Sequence, residues 1–131
     1  MTNFEIAGLY IAINLVLLSV LMLRVGQVRM SKKVSLGDGG DSELFARIRA
    51  HANFTETTPF ALVGLLALAG LGAAGIAMHI FGAAFTIGRI AHAQGMAAKD
   101  SLGGGRTLGA LLSLLTFLGM AGYMFYLIFV G

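Results

Sequence analysis

Three long stretches without a formal charge decide what this chain can become. Ile6 to Leu23 spans 18 such residues, Thr57 to Gly88 spans 32, and Thr107 to Gly131 spans 25. At a 1.5 Å rise per residue the first stretch reaches about 27 Å, close to the hydrocarbon thickness of a bilayer. The second is too long for one crossing and is broken by Gly70, Gly72 and Gly75, which predict a tight turn between two spans. The third ends in Tyr123, Phe125, Tyr126 and Phe129, the aromatic residues that collect at a membrane interface. Charged residues make up only 11% of the chain and apolar ones 57%, which argues against a water-soluble enzyme. The expected fold is all-α: one domain over residues 1–131, an integral-membrane four-helix bundle with spans near 5–26, 43–70, 75–98 and 105–130.

The positive charges set the orientation. Arg24, Arg29, Lys32, Lys33, Arg47 and Arg49 lie at or between the first two helices, and Lys99 and Arg106 lie between the last two. The N-terminus, the glycine turn and the C-terminus carry no Lys or Arg, so the positive-inside rule puts both basic loops in the cytoplasm and both termini on the other side. The expected place is a bacterial inner membrane, crossed several times, with any site on the cytoplasmic face. The net charge of +3 therefore serves membrane topology, and no nucleic-acid partner is expected. Lys32 and Lys33 suit anionic lipid headgroups. Without a cysteine the chain has no disulfide, no thiolate metal ligand and no thiol nucleophile. Its three histidines lie on different helices or helix faces and do not suggest a metal site.

The informative residues are the polar ones that a membrane helix should avoid. The second helix opens with Glu43-Leu-Phe-Ala-Arg47-Ile-Arg49-Ala-His51-Ala-Asn53-Phe-Thr-Glu56-Thr-Thr-Pro59. Taken from Arg49 at 100° per residue, Asn53 falls at about +40° and Glu56 at about −20°, one narrow stripe, while Arg47 and His51 fall on the opposite side. Formal charges near the bilayer centre cost on the order of 2.5–3.5 kcal/mol each. This helix is therefore expected to be surrounded by protein. The third helix carries Arg89, His92 and Gln94, the fourth opens at Arg106-Thr107, and the first ends near Gly26-Gln27-Val-Arg29. All four bring polar groups toward one membrane face, where they would suit a small ligand that is anionic overall yet carries an ammonium. Arg89 either joins that cradle or serves Glu56 as an internal partner.

The pattern Arg49-Ala-His51-Ala-Asn53-Phe-Thr-Glu56 followed by Pro59 resembles the helix-two signature of the MAPEG family, the membrane-associated proteins in eicosanoid and glutathione metabolism. Gly26-Gln27-Val28-Arg29, Gly88-Arg89-Ile-Ala91-His92 and Arg106-Thr107 are similar to the corresponding segments of its microsomal prostaglandin E synthase and glutathione transferase branches. The resemblance implies a homotrimer with glutathione as co-substrate, bound between subunits near the cytoplasmic face. Carried over residue by residue, Arg49, Asn53 and Glu56 hold the peptide, Arg29, His51, Arg89 and His92 add contacts, and Arg106 stabilises the thiolate. Met96 and Thr57 stand where family enzymes commonly have tyrosines, so an eicosanoid synthase is not expected. The function implied is a membrane-bound glutathione transferase or peroxidase acting on a lipophilic electrophile. The alternative is a non-catalytic scaffold that keeps the fold.

Overall fold

A computed structural model describes residues 1–97 and 104–131. Four antiparallel helices follow one another: α1 over Asn3–Lys32, α2 over Ser42–Gly70, α3 over Gly75–Ala97 and α4 over Gly104–Phe129. Lys99 lies outside the described residues.

α1 starts on a reciprocal cap. The Thr2 hydroxyl accepts from the Glu5 amide (3.2 Å) and the Glu5 carboxylate accepts from the Thr2 amide (2.7 Å), satisfying two otherwise orphaned groups. The helix runs on to Lys32 instead of stopping near Gly26 as expected, so the Gly26–Arg29 segment is helical. The apolar pattern ends where the lipid ends, but nothing in the next turns breaks a helix. It stops only where Lys33 turns left-handed, at φ 55°, a common C-terminal device. The loop to α2 is correspondingly short. Arg29 Nη1 donates to the Gly37 carbonyl at 2.7 Å, and Lys32 sits 3.0 Å from Asp41, whose carboxylate caps α2 by accepting from the Leu44 amide. The bond from Leu44 and the ammonium of Lys32 hold the Asp41 carboxyl below its usual range. The hydrogen bond to Asp41 and its negative charge raise Lys32 in return.

The opposite end is stitched by hydrogen bonds. Asn3 Nδ2 donates to the Ala73 carbonyl (2.7 Å) and the Ala74 amide donates to the Tyr123 hydroxyl (3.0 Å). The chain start, the α2–α3 turn and the end of α4 thus share one face. Gly72 makes that turn at φ +73°, a conformation most side chains disfavour. Ile6, Ala7, Tyr10, Leu65, Leu68, Met78, Phe85 and Met120 form the main core. Leu21, Phe54 and Ala93 form a smaller cluster.

Leu111, Leu114, Leu115 and Leu118 of α4 point outward, as helices in lipid require and water would not tolerate. By length and composition α1, α3 and α4 are able to cross a membrane. α2 is equally long, but its first half carries Arg47, Arg49, His51 and Glu56. α3 and α4 meet most closely, over a seam of Gly88 and Gly95 against Gly105 and Gly109. A methyl group on Gly105 would stand 2.7 Å from the Ala91 carbonyl. Glycines spaced by four are a standard way for membrane helices to bring backbones together.

Candidate functional site

The tight seam leaves a cavity of about 200 Å³ beside it, lined by Asn53 and Thr57 of α2, Arg89 and His92 of α3, and Ala110, Ser113, Leu114 and Phe117 of α4. Asn53 and Thr57 are separated by one helical turn and so face the same neighbour. Gly88 lets α4 approach where a larger residue would hold it away, and the next residue along α3 is Arg89.

Arg89 is the centre of the site. It is only 2% exposed. Nη1 donates to Asn53 Oδ1 at 2.9 Å and to Thr57 Oγ1 at 2.7 Å. The Thr57 hydroxyl donates onward to the Asn53 carbonyl at 2.8 Å. The guanidinium carbon lies 5.9 Å from the centre of the Phe85 ring, within reach of a cation–π contact. Nε has no hydrogen-bond partner. Among the described residues no carboxylate comes within 4.0 Å of the guanidinium. The expected pairing with Glu56 is therefore not formed. Glu56 and Asn53 differ by about 60° around α2, and Asn53 is the one turned toward α3. An arginine buried beside a cavity with only neutral acceptors keeps an uncompensated positive charge, which is costly unless an anion answers it.

The structure brings together Asn53, Arg89 and His92 of the residues singled out from sequence. Arg49 and Glu56 are exposed on the outward side of α2, and His51 is half-buried. Arg29 is engaged with the α1–α2 loop. Arg106 is exposed in the first turn of α4. It lies on the same face as Ala110 and Ser113, about one and two turns nearer the start of α4, but does not line the cavity. The complete polar set is therefore not assembled within one chain. Two lining residues, Thr57 and Ser113, escape sequence reasoning because lone hydroxyls in a helix ordinarily bond their own backbone, as Ser113 does to the Gly109 carbonyl at 2.8 Å. The signal for Ser113 was the spacing Gly105-x-x-x-Gly109, which marks the seam and continues one turn later at Ser113.

Outside the cavity, His79 near the start of α3 places Nδ1 3.1 Å from the Tyr10 hydroxyl, which also donates to the His79 carbonyl. This pair ties α1 to α3 near the turn end. Among the described residues no group of three or more His, Asp or Glu could hold a metal ion.

Known proteins resemble this arrangement along most of its length. The MAPEG family model matches residues 7–126. Over 90 residues, 69% of each chain, the sequence is 37% identical to inner membrane protein YecN of Escherichia coli strain K12. The same identity and coverage are found with inner membrane protein YecN of Escherichia coli O6:H1 strain CFT073. No solved structure matches it. Four helices, three of them able to cross a bilayer, and a family match over nearly the whole sequence agree: this is an integral-membrane protein of the MAPEG family.

Proposed function

We propose that the chain binds glutathione at the cytoplasmic side of the inner membrane and presents its thiolate to a lipophilic electrophile, as a membrane glutathione transferase or peroxidase. The observation that carries this reading is the buried Arg89, which faces a cavity without a carboxylate to neutralise it. A ligand carboxylate or thiolate would supply the missing charge, and Asn53, Thr57, His92 and Ser113 would supply hydrogen bonds around it.

The cavity is smaller than the about 300–1,000 Å³ usual for a small-molecule site, so it takes one end of the peptide. The rest would lie over Arg49 and Glu56, where a carboxylate and an ammonium of glutathione find opposite charges. Those two side chains are exposed in one chain, and a neighbouring subunit of a homotrimer would cover them. In that assembly Arg29, His51 and Arg106 reach the ligand from the cytoplasmic rim. A free thiol titrates near 8.5, and each unit by which a nearby guanidinium lowers it corresponds to about 1.4 kcal/mol of thiolate stabilisation. Holding the thiolate where an electrophile arrives through the bilayer adds the benefit of proximity.

The hydrogen bonds from Arg89 to Asn53 and Thr57 also favour a second reading, a scaffold in which this network serves only to join α2 to α3. Detergent-solubilised protein titrated with glutathione separates the two. Saturable binding with thiolate absorbance in the ultraviolet, lost in Arg49→Ala and Glu56→Ala while the protein keeps its size, supports the enzyme. Wild-type protein that binds no glutathione at millimolar concentration refutes it.

A further inference from the structure

A second hollow lies on the other flank of α2, between it and α1, and shares no residue with the cavity around Arg89. It encloses about 260 Å³ and is lined by Asn14, Leu15, Leu18, Phe54, Thr55, Thr58, Pro59 and Leu62. Most of that wall is hydrocarbon, yet two of its polar atoms are buried without a partner.

Asn14 is 1% exposed. Its amide nitrogen spends both hydrogens, on the Tyr10 carbonyl and on the Thr86 hydroxyl, each at 2.9 Å. Its Oδ1 accepts nothing. Thr58 is 4% exposed, and its Oγ1 is likewise unpartnered. Hydroxyls in membrane helices normally bond back to their own helix. Thr55, Thr57, Ser113 and Thr116 all do so, whereas Thr58 does not. Pro59 adds a third group. It has no N–H to give, so the carbonyl four residues earlier, on Thr55, loses the amide that would ordinarily bond it. An unsatisfied buried polar group costs about 1–3 kcal/mol, and here two of them belong to residues that line one hollow about midway along both helices.

We infer that this groove is a binding site for a lipophilic alcohol, a hydrocarbon chain bearing one hydroxyl. A hydroxyl donates and accepts at once: its proton goes to Asn14 Oδ1 or the Thr55 carbonyl, and its oxygen accepts from the Thr58 hydroxyl. The lining contains no cation, and two acceptors would repel a carboxylate, so an anionic lipid tail is disfavoured. An alkane or ether leaves Asn14 Oδ1 without a donor. Leu15 and Pro59 are exposed at the mouth, so the guest enters sideways from the bilayer with its chain along Leu15, Leu18 and Leu62. The site does not depend on the glutathione reading.

The test uses the full chain in phosphatidylcholine nanodiscs with a medium-chain alcohol carrying a mid-chain diazirine, and with its methyl ether as the matched control. After illumination the alcohol should mark the Asn14–Leu18 and Phe54–Leu62 segments about three- to tenfold more than the ether, the preference expected for one buried hydrogen bond. Thr58→Val should lower the marking by both probes, since either oxygen accepts from that hydroxyl, and leave the alcohol ahead through the proton it donates, while Thr58→Ser should keep both signals, which guards against a folding defect in the valine variant. Equal marking by both probes overturns the inference, as does an undiminished signal in Thr58→Val. Marking spread over the outward leucines of α4 would mean mere lipid exposure, and an unmarked groove would mean that a second subunit covers it. Either result also overturns it.

Discussion

Alanine at Gly109 tests whether the seam between α3 and α4 holds the cavity in shape. A methyl group there would run into the Gly88 carbonyl and stand 2.6 Å from His92 Cβ and 2.7 Å from the His92 amide nitrogen. Two of these three are backbone atoms of a packed helix and cannot swing aside. Restoring ordinary contact, which begins at 3.4 Å, needs the helices to separate by about 1 Å, because the Gly88 carbonyl is the nearest of the three, enough to forfeit up to about half of the local dispersion attraction. Overpacking of this kind costs about 1–3 kcal/mol. It competes with the gain of about 0.8–1.0 kcal/mol from replacing glycine by alanine inside a helix. Gly122 lies on the same helix, exposed, with nothing within 4 Å of the added carbon, so Gly122→Ala receives the gain without the clash. The difference between the two variants isolates the packing cost: Gly109→Ala should be less stable than Gly122→Ala by about 1–3 kcal/mol. Reversible unfolding in mixed micelles, followed by circular dichroism, measures it. Equal midpoints for the two variants would refute a rigid seam.

Arg89→Met should cost about tenfold or more in glutathione affinity, because it removes a charged donor worth about 1.5–3 kcal/mol. Arg89→Lys should not restore it, since a single ammonium cannot reproduce the spread of guanidinium donors; isothermal titration reads both. Arg106→Ala should lower kcat for thiol conjugation more than it raises KM, as expected for a group at the rim that stabilises the thiolate, and an equal loss in Arg106→Lys would argue against simple charge stabilisation. The α2 cap should be insensitive to pH across the neutral range. Asp41 has a folded pKa lowered from its usual 3.8, so the stability it lends is present above that value and is lost as pH falls through the lower, folded one. Protection of the Leu44 amide against hydrogen exchange should therefore persist at pH 5 and vanish in Asp41→Ala at every pH.

The helix count, the glycine turn and the cost of charges in the spans could be read from the order of residues, because lipid imposes a one-dimensional rule on length and polarity. The end of α1 could not. Beyond Leu23 the bilayer no longer dictates anything, and Lys33 closes the helix through a backbone conformation and a loop contact from Arg29 to Gly37. The partner of Arg89 was illegible for another reason. Helical periodicity places Asn53 and Glu56 on one stripe, but the choice between them depends on which edge of that stripe meets α3. That is fixed by how α2 is turned about its own axis where it packs on α3, a rotation no residue spacing specifies. Thr58 and Asn14 were silent in the sequence because a polar residue in a span reads alike whether its bonds are complete or not.

The charges that are easiest to find are thus the ones a single chain leaves unused. Arg49 and Glu56 are exposed on α2, and Glu56 lies 14 residues from either end of that helix, about 21 Å along its axis. Facing lipid, a carboxylate at such depth costs on the order of 2.5–3.5 kcal/mol even by the lenient scale. Facing a neighbouring copy across a ligand, the same group gains an ammonium and the cost falls. The proposed trimer and the proposed glutathione site are therefore one argument: the side chains that make α2 a poor lone span make it a good wall between subunits. Glu56→Gln separates the two contributions, because it removes the charge and keeps the shape. On this reasoning the variant loses glutathione binding and keeps its oligomeric size. Unchanged binding would place the ammonium of the ligand elsewhere.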